Sequence, residues 1–338
     1  MRLYDFVPSR TSKNCIFKHH PIHYYKSGCF IDDFDKVDNE IKQYQIPRGL
    51  IMPSFSEIEK ENNPISTVIS YTKKLHEITG RNVIIYSSSF LTQDTEETSI
   101  DDYDKNGFMN VIKDLDKSKG LDLILHTPGG SVAATESIID YLHSVFGDNI
   151  RSIIPQISMS GGTMIACSCK EILMGKHSSL GPVDPQVSDL AAKDIIEEFE
   201  LAKKETATHP ELIPFWEILL DKYPENILIE CEKAIKWSEY ILEKSLKYSM
   251  FKENNEKEIN QIKNELITSE TTKNHSQNLS AKKCQEIGLK IKYLEDDENL
   301  QDIVLSIHHA YLSYFYHKPQ YKLFVNQNGE YYAIGTAE

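Results

Sequence analysis

At 338 residues the chain is long enough for one large domain or two ordinary ones, and its 40% hydrophobic and 26% charged residues exclude wholesale disorder. A formal net charge of −14 repels phosphate backbones and anionic lipid, which argues against nucleic acid as a partner. No apolar run approaches the ~20 residues that span a bilayer, so no transmembrane segment is expected, although peripheral membrane association stays open. Residues 1–6 lead into polar and basic residues instead of an apolar segment, so no cleaved leader is expected. The six cysteines, Cys15, Cys29, Cys167, Cys169, Cys231 and Cys284, match no zinc spacing and are read as reduced thiols of a cytoplasmic protein.

In chain order, residues 1–60 read as an N-terminal extension rich in aromatics and histidines. For its His19, His20 and His23 a loop or an oligomer contact is preferred to a metal site. A core is expected over residues 61–252. Residues 63–79 carry Ile65, Val68, Ile69, Tyr71 and Leu75 at helical spacing, closed by Gly80. Asn82-Val83-Ile84-Ile85-Tyr86-Ser87-Ser88 is a buried-strand pattern, and residues 104–119 are a second helix ending at Gly120. Leu121-Asp122-Leu123-Ile124-Leu125-His126 is a strand that runs into the turn Thr127-Pro128-Gly129-Gly130-Ser131 and a helix over 132–146. Arg151-Ser152-Ile153-Ile154-Pro155, a second glycine turn at Ser160-Gly161-Gly162, a short apolar helix over 163–169 and the strand Glu171-Ile172-Leu173-Met174 follow. This alternation predicts an α/β fold with a parallel sheet and right-handed crossovers. Residues 188–204 and 211–252 read as helices. Residues 253–281 form a polar loop or helix. Residues 282–338 return to a core pattern and end in a hairpin around Asn328-Gly329.

Both glycine turns fall at the carboxyl ends of strands adjacent in sequence, where open α/β sheets bind ligands. Acyl transfer needs a hydroxyl nucleophile and two backbone N–H groups aimed at the developing oxyanion. Ser160, the neighbouring Gly161 N–H and the Gly130 N–H of the facing turn supply these groups. The same turns could instead cradle a phosphate, as glycine turns between strands and helices do in many α/β proteins.

Three stretches carry a family resemblance: residues 121–130, residues 158–166 and Ser179-Leu180-Gly181-Pro182-Val183-Asp184-Pro185-Gln186. They closely resemble the serine dehydrogenase proteinase family, which groups with the Clp protease proteolytic subunit and signal peptide peptidase A. The likeness runs from about residue 64 to the C-terminus. It also takes in residues 199–205 and 231–235, His275-Ser276 and Gly288-Leu289. The resemblance implies a Clp/crotonase fold of repeated ββα units with parallel sheet and added C-terminal helices. It implies an ATP-independent serine endopeptidase without metal or organic cofactor, acting on polypeptide as a homo-oligomer. It carries the nucleophile to Ser160 and the oxyanion donors to Gly130 and Gly161.

The general base follows less directly. Where the Clp subunit carries a histidine, this chain reads Val183-Asp184-Pro185-Gln186, and His177 comes too early. Signal peptide peptidases use a lysine further downstream, which points to Lys203, with Lys204 second. Such a lysine must lose its proton in an apolar setting. His126, Asp184 and His275 are supporting candidates. Two other readings stay open. One is a crotonase-type acyl-CoA enzyme using a glutamate such as Glu136. The other is a non-catalytic oligomeric scaffold with the same fold.

Overall fold

The computed structural model describes residues 64–93, 95–252, 255–268 and 278–336. The expectations for residues 1–60, including His19, His20, His23, Cys15 and Cys29, and for His275 lie outside the described residues.

Helix α1 (Pro64–Thr79) leads into strand β1 (Asn82–Ser88), then α2 (Asp104–Ile112), β2 (Leu121–His126), α3 (Val132–Phe146) and β3 (Ile150–Ile154). Short β4 (Ile157–Ser158) precedes α4 (Gly161–Cys167), β5 (Glu171–Met174) and β6 (Ser179–Leu180). The hairpin β7 (Gln186–Val187) and β8 (Leu190–Ala191) opens the helices α5 (Ala192–Thr208), α6 (Ile213–Leu220) and α7 (Ile227–Ser245). The chain continues through α8 (Glu256–Lys263), β9 (Leu279–Ser280), α9 (Ala281–Glu286), β10 (Ile291–Tyr293), α10 (Glu298–His317), β11 (Gln320–Asn326) and β12 (Tyr331–Gly335).

The fold is α/β. Among the described residues its main sheet has seven strands in the order β10-β5-β3-β2-β1-β11-β12. The first five are parallel, and β11 joins β1 antiparallel, with Tyr86 opposite Phe324 and Ser88 opposite Lys322. Parallel strands covered on both faces read as continuous apolar runs, because neither side meets water. In β2 the alternation therefore sorts two cores instead of core and solvent. Leu121, Leu123 and Leu125 face the helices α2, α3, α4 and α7, while Ile124 faces α1 and α10. Glycines set the ends: Gly80, Gly120 and Gly147 have φ of +66°, +69° and +61°. Ser131 caps α3 by accepting from Ala134 N at 3.3 Å, and Asp297 caps α10 by accepting from Leu300 N at 3.0 Å.

Several helix expectations differ from the structure. The helix read over 104–119 ends at Ile112, and the one read over 188–204 starts at Ala192, after the β7–β8 hairpin. The helix read over 211–252 is two helices, α6 and α7, separated around Tyr223-Pro224. Proline has no N–H for a helical bond and biases the preceding residue away from helix, so the turn breaks there. Helices α5 and α7 close a small core of Ala192, Ile195, Ile227 and Cys231. No helix among the described residues is long and apolar enough to cross a membrane.

Candidate active site

The two glycine turns are joined edge to edge. Strand β4 pairs with β6, and Ser158 bridges Thr127, the residue after β2. Met159 N donates to Thr127 O at 2.9 Å, so the strand entering the serine turn lies on the strand entering the Pro-Gly-Gly turn. Only glycines permit this approach. A Cβ on Gly129 would lie 2.7 Å from Ser160 Cβ, and one on Gly162 would lie 2.3 Å from Ser158 Oγ.

Ser160 holds φ +46° and ψ −112°, one of three described non-glycine residues at positive φ. Such a conformation costs on the order of 1–3 kcal/mol and persists only where neighbours enforce it. The enforcing bonds are Gly162 N to Met159 O at 2.7 Å and Met164 N to Ser160 O at 3.0 Å. Together they turn the chain from β4 into α4. The sharp turn leaves the Ser160 side chain half-exposed, without a hydrogen-bond partner among the described residues.

The backbone donors converge beside it. A Cβ built on Gly161 would stand 3.5 Å from Gly130 N. Among the described residues, neither the Gly130 nor the Gly161 amide has an acceptor. Gly130, at φ +151°, is fixed from the far side by Ile100. Ile100 N donates to Gly129 O at 2.7 Å, and Ser131 N donates to Ile100 O at 2.9 Å. This pairing consumes the turn's outward groups and leaves the Gly130 N–H pointing away from the strap. Sequence reading missed Ile100, which stands in a polar stretch with no motif or periodicity. It also missed Thr163, whose hydroxyl donates to Gly181 O at 2.8 Å and ties the segment after β6 to α4. The Gly-Gly-Thr run was its only local signal.

The sequence-derived site residues divide into two groups. Ser160, Gly130 and Gly161 come together. Lys203 lies on α5 with its side chain 67% exposed and its ammonium paired to Glu200 at 2.5 Å, and Lys204 beside it is exposed. Neither makes a hydrogen bond to Ser160. His126 is fully buried, on the sheet face opposite the β2 leucines, with its ring against Phe90, His308 and Tyr311 at 4.9, 5.4 and 5.5 Å. Burial pushes its pKa down to about 3, against a smaller opposing pull from the Ile157 backbone, so its ring is neutral at ordinary pH. Asp184 is half-buried in the segment after β6. Glu136 accepts from Trp237 Nε1 at 2.9 Å and pairs with Lys244 at 3.7 Å, which engages its carboxylate with α7. The described residues contain no group of three or more histidine, cysteine or acidic side chains placed to hold a metal.

A strained serine beside two unused backbone N–H groups can attack a carbonyl and hold the oxyanion that forms. Comparison with known proteins agrees with that chemistry. The family model described as ClpP-like SDH-type serine proteinase matches residues 56–301. An uncharacterized protein of Methanocaldococcus jannaschii, MJ0137, is 31% identical over 211 residues, covering 58% of this chain and 68% of the relative. A second from the same organism, MJ1495, is 29% identical over 213 residues, covering 58% and 67%.

Proposed function

The chain belongs to the ClpP-like SDH-type serine proteinase family, and from that premise we propose that it is a serine peptidase with Ser160 as its nucleophile. The observation that carries this reading is the convergence of the strained Ser160 with the acceptor-free amides of Gly130 and Gly161.

In the proposed reaction Ser160 Oγ attacks the scissile carbonyl carbon and its proton passes to a base. The amides of Gly130 and Gly161 hold the negative oxygen, at distances that preorganised donors supply without rearrangement. The C–N bond breaks, the amine takes the proton and leaves, and the acyl group stays on Ser160. Water then attacks the ester, gives its proton to the base, and releases the acid with the serine restored. The step sequence needs no cofactor.

Lys203 is the base on the strength of the family resemblance. Its use requires the Glu200 pair to break and the ammonium to lose water, as a neutral amine near pH 7 demands. A homo-oligomer would bring that change about. The α5–α7 region exposes Leu201, Phe215, Ile218, Ile229 and Tyr240, an apolar surface suited to association. The polypeptide substrate is inferred from the family alone.

Hydrolysis of a fluorogenic peptide library by wild type, Ser160→Ala and Lys203→Ala tests the reading. Ser160→Ala is expected to lose all turnover, and Lys203→Ala to lose ~10²–10⁴-fold in kcat with a changed pH profile. Full turnover in Ser160→Ala would refute the nucleophile. Unchanged kcat and pH profile in Lys203→Ala would refute the base alone, leaving Lys204 and His275 to be substituted next.

A further inference from the structure

Beneath the Ile100 strap lies a charged cluster that the reaction does not use directly. Lys322, in β11, is fully buried, which is rare for a lysine unless it is paired. Its ammonium lies 2.9 Å from Asp104 Oδ1 and 2.9 Å from Asp101 Oδ2. Asp104 is itself buried, and its Oδ2 accepts from Tyr86 OH at 2.7 Å and from Asp101 N at 3.1 Å. Asp101 Oδ1 accepts from Tyr103 N at 2.8 Å. The cluster therefore fixes the backbone of residues 101–104 to strands β1 and β11. Ile100 is the residue immediately before that fixed segment.

The chain of contacts is continuous from the ammonium to the oxyanion turn. Lys322 and Tyr86 hold Asp104; Asp104 and Lys322 hold Asp101; Ile100, bonded next to it, grips Gly129 and Ser131 on either side of Gly130. The strap also reaches the other turn, because Ile100 Cδ1 is 3.3 Å from where a Gly161 Cβ would stand. A buried ion pair adds little net stability over apolar residues of the same volume, yet it fixes geometry when all its members are satisfied. A catalytic turn needs a supporting shell that holds donors to within about half an ångström.

We propose that the buried Lys322–Asp104–Tyr86 cluster, with Asp101, is a positioning device that sets the Gly130 N–H for oxyanion binding through Ile100. The proposal rests on the reading of Ser160 as nucleophile and Gly130 as oxyanion donor. Lys322, Asp104 and Tyr86 are positioning residues, since none of them touches the reacting atoms.

The test variant is Lys322→Met with Asp104→Asn, which removes both buried charges together and keeps an oxygen for Tyr86 and the Asp101 amide. Lys322→Met alone, which leaves Asp104 unpaired, is the more damaging comparison. Two readouts are taken on the full chain. In hydrogen exchange, the Ile100 and Ser131 amides are expected to lose on the order of tenfold protection while strand β2 keeps its own. In kinetics, kcat and the fluorophosphonate labelling rate are expected to fall ~10–100-fold with KM within about twofold, and affinity for a peptide boronate to fall with kcat. Wild-type protection at Ile100 and Ser131 overturns the proposal. Lost protection with labelling and kcat unchanged overturns it as well, because the strap would then move without consequence for the oxyanion. Failure of the wild-type protein to label at Ser160 would instead overturn the parent reading, and this one with it.

Discussion

Substituting Gly130 by alanine tests the oxyanion turn at its tightest point. The added Cβ would stand 2.4 Å from both Ile100 N and Ile100 O. These are backbone atoms, so no side-chain rotation relieves the clash. Either the turn or the strap must move, and the bonds from Ile100 N to Gly129 O and from Ser131 N to Ile100 O open with it. Two backbone hydrogen bonds at about 1 kcal/mol each, with about 1–3 kcal/mol for a non-glycine residue in a sparsely populated positive-φ region, put the local cost at about 3–5 kcal/mol. The Gly130 N–H is then displaced from the oxyanion. Loss of one such donor costs ~10²–10³ in kcat. The assay is the rate of fluorophosphonate labelling beside peptide turnover, with a thermal melt to confirm folding. Gly80→Ala is the control: it also changes a positive-φ glycine, at +66°, but its Cβ meets nothing within 4 Å. It should lose on the order of 1 kcal/mol of stability and no activity. A folded Gly130→Ala protein that labels within about threefold of wild type would refute the assignment of that amide.

Three further outcomes follow from the geometry. Ser160→Gly removes a Cβ from a strained backbone and should melt about 2 °C above Ser160→Ala, since roughly 1 kcal/mol of relief remains after glycine's entropy loss; equal melting temperatures would argue against strain at the serine. Asp122 is fully buried between Arg81 Nε at 2.6 Å and Arg151 Nη2 at 2.6 Å, so Asp122→Ala leaves two guanidinium groups facing each other and should cost about 3–5 kcal/mol in urea unfolding. His126 has a folded pKa of about 3 against an ordinary 6.5, so the unfolded chain takes up a proton that the folded chain refuses. Stability should therefore fall as pH drops from 6.5 towards 3, with a slope up to about 1.4 kcal/mol per pH unit from this residue. His126→Leu should flatten that slope in urea titrations at pH 7 and 5, and an unchanged slope would remove His126 from the acid response.

The glycine-turn end of the sheet was readable in the sequence because its signals are local. The strand β2 is buried along its whole length, with Leu121, Leu123, Ile124 and Leu125 as its apolar signal, and each glycine turn marks a close backbone approach that only glycine tolerates. What was not legible depends on contacts between distant segments. The Asn328-Gly329 hairpin could be read, but not that its first strand would insert beside β1 as an antiparallel neighbour in a parallel sheet. Nothing local in the sequence marks Lys322 as buried, and its burial follows from that insertion beneath residues 101–104. Ile100 was invisible for the same reason, since its role comes from pairing with Gly130. The base has no local signal of its own beyond family likeness, and Lys203 is an exposed, ion-paired residue of α5.

Ser160 as an activated nucleophile is open to a direct assay: treatment of the protein with a fluorophosphonate and mapping of the adduct by mass spectrometry. The expected result is a single phosphonylated residue, Ser160, absent from Ser160→Ala and formed more slowly in Gly130→Ala. A wild-type protein that stays unmodified, or an adduct that persists in Ser160→Ala, would contradict it.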